Sequence, residues 1–138
     1  MHIVGTQGYI APEYLADGVV STKMDVFSFG VVLLELVSGK EVIDEDGNVL
    51  WASAGSILEG NEEDKARKLM EWVDNELVLE SFSMEIIMNV VTVVIACVHK
   101  DPSKRPTMVD IVYALCKSDD LFFDISDDGS STPPVKAR

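Results

Sequence analysis

Basic side chains are scarce in this sequence. Lysine and arginine together number 11 against 24 aspartates and glutamates, a formal net charge of −13. That balance argues against a nucleic-acid partner, because phosphate binding needs a basic face. It argues equally against contact with an anionic membrane surface. Cysteine is almost missing. Cys97 and Cys116 both fall in apolar helical patterns, which reads as two buried free thiols of a reducing compartment. No run reaches the roughly 20 apolar residues that a membrane-spanning helix requires. Residues 1–8 lack the basic start and long apolar core of a secretory signal. No Asn-x-Ser/Thr acceptor occurs, so nothing points to secretion of this chain. What remains is 138 residues, enough for one domain of ordinary size.

The densest apolar stretch is residues 24–40. Val26, Phe27, Phe29, Val31, Val32, Leu33, Leu34, Leu36 and Val37 are interrupted only by Ser28, Gly30 and Glu35. Apolar side chains fall on every face at helical spacing, which predicts a helix wrapped by protein on most sides. The Val content makes a buried strand the rival, and length favours the helix. Thr22 and Asp25 resemble a capping box, and Gly39-Lys40 a C-terminal stop.

The other segments are expected to pack around that helix. Pro12 fits the first position of a short helix that ends near Asp17-Gly18. Residues 41–48 form an acidic loop. Asp44-x-Asp46-x-Asn48 resembles the opening of a calcium loop, but position six is Val49 and position twelve Gly55, so a solvated turn is the reading. A helix over 50–58 ends at Glu59-Gly60. Asn61 caps the next, whose apolar face would carry Ala66, Leu69, Met70 and Val73, with Trp72 beside it. Trp51 and Trp72 read as packing residues. Residues 74–82 connect, with a single turn, to a strongly apolar helix over 83–99. Its many β-branched residues are poor helix formers, so burial has to supply its stability. Thr107 and Asp110 suggest a capping box opening the last helix, 107–117, with Met108, Ile111, Val112 and Leu115 as its stripe. Residues 118–138 change character: an acidic, mostly disordered tail, with Leu121-Phe122-Phe123 able to dock. His2 and His99 have no nucleophile or metal-ligand spacing around them.

Three short motifs carry the argument further. Gly5-Thr6-Gln7-Gly8-Tyr9-Ile10-Ala11-Pro12-Glu13-Tyr14 resembles the end of a protein kinase activation segment, with its Ala-Pro-Glu motif. Asp25-Val26-Phe27-Ser28-Phe29-Gly30 resembles the opening of the central helix of the kinase C-terminal lobe. Asp101-Pro102-Ser103-Lys104-Arg105-Pro106-Thr107 resembles the arginine motif before the last helix of that lobe. Each alone is weak; all three in order, around Val32-Leu33-Leu34-Glu35-Leu36, are specific. The set is similar to plant receptor-like Ser/Thr kinases. The wording of residues 2–9 and 18–26 is most similar to the LysM-domain receptor-like kinases.

The resemblance implies a mainly α fold: a partial protein-kinase C-terminal lobe over residues 1–117, without an N-terminal lobe, followed by the 118–138 tail. It implies that Glu13 pairs with Arg105 as a buried tie, a loose surface pair being the alternative. Thr6, Gly8 and Tyr9 would belong to a substrate-facing loop. Asp25 would anchor the central helix to the catalytic loop, or else only cap its own helix. Glu35 would sit where some relatives meet a basic substrate residue, or else be a core carboxylate satisfied locally. Phosphoryl transfer also needs a Gly-rich loop, a strand Lys, a catalytic Asp and metal-holding Asp and Asn. This sequence has no Gly-x-Gly-x-x-Gly, Val-Ala-Ile-Lys, His-Arg-Asp or Asp-Phe-Gly. No catalytic or metal residue is therefore assigned, and ATP and Mg belong to a longer parent. The expectation is a cytoplasmic portion of a cell-surface signalling kinase, not competent alone; the alternative is a short non-catalytic kinase-like binding protein. Its expected partner is the missing N-terminal part of the kinase, or another protein covering the exposed core of the central helix.

Overall fold

The computed structural model describes residues 5–80 and 82–126. The first helix, α1 (Pro12–Asp17), is followed by α2 (Thr22–Ser38) and α3 (Leu50–Ala54), which runs into a 3-10 turn at Gly55–Leu58. Then come α4 (Glu62–Trp72), α5 (Asn75–Leu79), α6 (Met84–Cys97), a second 3-10 turn at Pro102–Lys104, and α7 (Met108–Ser126). The β structure among the described residues is a lone antiparallel bridge between Ile43 and Val49. The fold is thus mainly α, as expected of a partial kinase C-terminal lobe.

The apolar run of α2 forms the axis. Phe27, Val31 and Leu34 are completely buried, and the core they start takes in Leu50, Ile57, Leu69, Trp72, Val91 and Val94 from four other segments. Burying each large apolar side chain contributes about 1.5–3 kcal/mol. Phe27 also meets Trp51 edge to face, ring centroids 5.4 Å apart. α6 is helical despite its β-branched residues because Ile87, Val91, Val94 and Cys97 are buried. Its backbone approaches α2 at Gly30, where a Cβ would lie 2.7 Å from Cys97 Cβ and 2.9 Å from Val98 Cγ1. No larger residue allows the two helices that separation.

Several local expectations hold. Pro12 opens α1, and Gly18 closes it in the left-handed region. Gly39 does the same for α2. Asn61 Oδ1 accepts the Asp64 amide, 2.9 Å, to cap α4. Thr107 and Asp110 exchange both capping-box bonds, at 3.1 and 3.2 Å. The 41–48 loop is a turn held by Asp44, whose Oδ1 accepts the amides of Asp46 and Asn48 at 3.0 and 2.8 Å.

Others need correction. The cap of α2 is Ser21, whose Oγ accepts the Lys23 amide; Thr22 is already helical, so no Thr22–Asp25 box forms. In α4, Leu69, Trp72 and Val73 are buried, while Ala66 and Met70 are exposed. Only its last turn reaches the core, so the Trp72 ring takes the place expected of Met70. In α7, Ile111 is buried and Leu115 half-buried, but Met108 and Val112 are exposed. Over residues 108–117 α7 is buried along one narrow line, and Cys116, predicted buried, lies off that line and is exposed. Cys97 is buried as expected, and burial pushes its thiol up to about 11. α7 also runs on to Ser126, past the expected end at Lys117; no Gly or Pro interrupts the sequence before Gly129. His2 and the tail from residue 127 onward, including most of its expected disorder, lie outside the described residues. On α2, Val32 and Leu36 are 44% and 67% exposed, the uncovered face that the sequence predicts.

Two glycine substitutions separate packing from propensity. Gly30→Ala gains helix propensity but overfills the α2–α6 contact, and should lower stability by about 1–3 kcal/mol. Gly55, in right-handed helical conformation with nothing within 4 Å of a built Cβ, should tolerate Ala with a gain of up to about 1 kcal/mol. Urea unfolding midpoints of the two variants should move in opposite directions.

Candidate functional site

The chain from Gly5 to Ala11 folds as a loop laid on α2. The Tyr9 amide donates to Thr6 O at 3.2 Å, closing a turn. Gly8 is in the left-handed region with φ +92°, and a Cβ there would come within 2.7 Å of Val42 Cγ2. Both facts demand glycine. Ser28 Oγ of α2 donates to Tyr9 O at 2.8 Å, and the Tyr9 hydroxyl donates to Glu35 Oε1. Tyr9 is therefore held by α2 at its backbone and at its ring tip. Thr6 is exposed at the crest of the loop. Thr6, Gly8 and Tyr9 all lie within this short segment. Glu35, half-buried, thus has a local partner in the Tyr9 hydroxyl. Its hydrogen bond with Tyr9, then burial and the Glu35 charge, hold the Tyr9 hydroxyl above its ordinary value of 10.0.

The loop leads into α1 and Glu13. Arg105 Nη1 and Nη2 donate to Glu13 Oε1 and Oε2 at 2.7 and 2.8 Å, a bidentate pair across 92 positions of sequence. The Arg105 side chain is 0% exposed and that of Glu13 10%. Arg105 Nε donates to His99 O at 2.8 Å, and Nη1 also to Lys23 O at 3.0 Å. Its guanidinium carbon stands 4.9 Å from the centre of the Phe27 ring. Lys23 Nζ in turn donates to Arg105 O at 2.7 Å. This is the buried tie, not the loose pair. The hydrogen bonds from Arg105 hold the Glu13 carboxyl below its ordinary 4.5, against the opposing effect of burial. Lys23, Phe27 and His99 were invisible as partners of Arg105. Two of them act through backbone carbonyls, which no side-chain pattern advertises.

Asp25 lies exposed in the first turn of α2, where the helix dipole favours a carboxylate. Among the described residues no catalytic-loop backbone approaches it. Nor do three or more His, Cys, Asp or Glu side chains gather there as metal ligands. No described helix is long and apolar enough to cross a membrane.

The family model described as "Protein kinase domain" matches residues 1–115. The chain belongs to the protein kinase domain family. Its relatives include plant receptor-like and Ser/Thr kinases of Arabidopsis thaliana. Protein LYK5 is 36% identical over 122 residues, covering 83% of this chain and 18% of its own length. LysM domain receptor-like kinase 3 is 32% identical over 123 residues, 82% of this chain and 19% of its own. Probable serine/threonine-protein kinase PBL9 is 40% identical over 116 residues, 80% of this chain and 26% of its own. The chain thus spans between 18% and 26% of the length of these relatives.

Two outcomes test this geometry. Glu13→Gln leaves the Arg105 charge buried without its counter-ion, and should cost about 3–5 kcal/mol, read as a lowered denaturation midpoint at pH 7. Because the Glu13 carboxyl titrates below 4.5 in the fold, its contribution is complete above the unfolded-state value. It is lost as pH falls through the lower folded one. The gap between the parent and Glu13→Gln should therefore close in acid. At the other extreme, an absorbance titration at alkaline pH should show a tyrosine ionising above 10.0, absent from Tyr9→Phe. Since the folded protein keeps that proton longer, stability should fall as pH rises past the ordinary tyrosine value.

Proposed function

We propose that this chain is the C-terminal-lobe portion of the kinase domain of a plant receptor-like Ser/Thr kinase, of the kind that includes the LysM receptors. Its parent transfers the terminal phosphoryl group of ATP to protein hydroxyls in cell-surface signalling, with this portion on the cytoplasmic side. The observation that carries the reading is the bidentate Glu13–Arg105 tie. It joins an Ala-Pro-Glu segment to an arginine motif across most of the chain, within the region that matches the kinase family.

In that parent the loop holding Thr6, Gly8 and Tyr9 faces the protein substrate, and Asp25 anchors the central helix to the catalytic loop. ATP and Mg are held by residues outside this sequence. Phosphoryl transfer depends almost wholly on positioning and electrostatics, so without the phosphate cradle and metal ligands this chain alone does not catalyse it. Its partner is the N-terminal part of the kinase or another protein that covers Val32 and Leu36. An uncovered apolar patch of that kind is a binding or aggregation surface. Neither nucleic acid nor a membrane touches this portion, whose charge is unsuited to both.

The test is an assay of labelled phosphate transfer from ATP with Mg. The 138-residue chain should give no incorporation into itself or a general kinase substrate. Supplying the upstream part of the same reading frame should restore it. Transfer by the chain alone would overturn the assignment, as would an upstream frame without a catalytic loop. The second outcome would favour a short non-catalytic binding protein.

A further inference from the structure

The attachment of the Gly5–Ala11 loop to α2 is lopsided in a way that matters chemically. Its backbone point is neutral, Ser28 Oγ to Tyr9 O at 2.8 Å. Its side-chain point is a phenol on a carboxylate, Tyr9 to Glu35. Among the described residues no ion pair supplies Glu35 with a cation. The contrast with Tyr113 is direct: its ring is exposed, with the Lys117 ammonium 4.7 Å from its centroid. Negative charge added at Tyr113 would meet a cation, whereas at Tyr9 it would meet an anion.

We propose that Tyr9 and Glu35 form a latch that phosphorylation of the Tyr9 hydroxyl releases. The proposal rests on the reading of this loop as substrate-facing for its consequence, but not for its physics. In the modifying step a tyrosine-directed kinase passes the terminal phosphoryl group of a nucleoside triphosphate to the Tyr9 oxygen. The bond from that phosphorus to the leaving diphosphate breaks, and the hydroxyl proton goes to the modifying enzyme's base. The product has lost the O–H donor that Glu35 accepts. It carries about −1.5 to −2 charges in its place, next to a carboxylate. Repulsion then drives the ring away from α2. Gly8 rests on Val42 and Ile43, so the displacement unseats the loop from the 41–49 turn as well. Tyr9 and Val42 pack against the α2–α6 core only as partly buried residues, whereas Phe27, Val31, Leu34, Val91 and Val94 are buried among themselves and stay folded. A kinase domain carrying this modification would keep its fold and lose the ordered surface that receives its protein substrate.

The experiment is amide hydrogen exchange on the full 138-residue chain, prepared with tyrosine or phosphotyrosine at position 9. Phosphorylation should speed exchange of the Tyr9 amide and its loop neighbours roughly tenfold or more, the scale of losing one hydrogen bond to a charged group. The α6 amides should not change. Tyr9→Phe, which removes only the donor, should speed the loop by a smaller factor. In Glu35→Gln, where the like charge is gone, the extra effect of phosphate should shrink to about that of Tyr9→Phe. Unchanged loop exchange in both Tyr9→Phe and the phosphorylated chain would overturn the latch. An undiminished phosphate effect in Glu35→Gln would overturn its electrostatic cause. Since exchange is read without ATP, failure here leaves the kinase assignment standing, and failure of the phosphate-transfer assay leaves the latch standing.

Discussion

Arg105 carries a full positive charge in a place that water does not reach. Such a charge is tolerated only where its donors are matched, because desolvation otherwise costs several kcal/mol. Here the match comes from three separated stretches: the Glu13 carboxylate of α1, the Lys23 carbonyl at the head of α2, and the His99 carbonyl just beyond α6. The Phe27 ring lies against its face. Satisfying one guanidinium thereby fixes where three segments stand relative to one another. The pair adds less net stability than its short distances suggest, since hydrophobic replacements of buried ion pairs are often as stable. Its value is geometric. A planar fork accepts a carboxylate in one orientation, and that orientation sets the direction in which the preceding loop runs.

The rest of the fold is hydrophobic, and its tightest constraint is the absence of a side chain. At Gly30 the two most apolar helices come close enough that even a methyl group would collide with Cys97 and Val98. That separation places Phe27 and Val31 on one side of the contact and Val91 and Val94 on the other within one core. The loop bearing Thr6, Gly8 and Tyr9 is fastened to the same helix through Ser28 and Glu35. One helix thus organises the core, receives the arginine tie at its first turn, and carries the loop on its flank. Val32 and Leu36 on its outer side remain uncovered, and this bare strip is the part of α2 that the described residues do not use.

Much of this was legible beforehand, for identifiable reasons. Pro12, Gly18, Gly39, Asn61 and the Thr107–Asp110 box announce helix ends because their effects are local: a fixed φ, a left-handed residue, a side chain within reach of its own backbone. The Glu13–Arg105 pair was reachable only through resemblance, since nothing local relates two residues on opposite sides of the chain. The misses in burial share a cause. Met70, Val112 and Cys116 sit at positions that helical spacing allows to be buried, but periodicity does not say how wide a stripe a neighbour will cover. α4 touches the core with its last turn and residues 108–117 of α7 do so along a narrow line, so the outer members of each predicted stripe are left in water.

The sequence by itself determined the helical segments, the order of the three motifs and the family they spell, because each depends on residues close together in the chain. It also carried the glycines without which the close contacts could not form. Only the tertiary structure decided that Glu35 belongs to Tyr9, that Ser21 and not Thr22 caps α2, and that Arg105 is completed by the carbonyls of Lys23 and His99. Those choices rest on distances between segments. Distances between segments are set by how the buried faces of α2 and α6 fit, which no local pattern records.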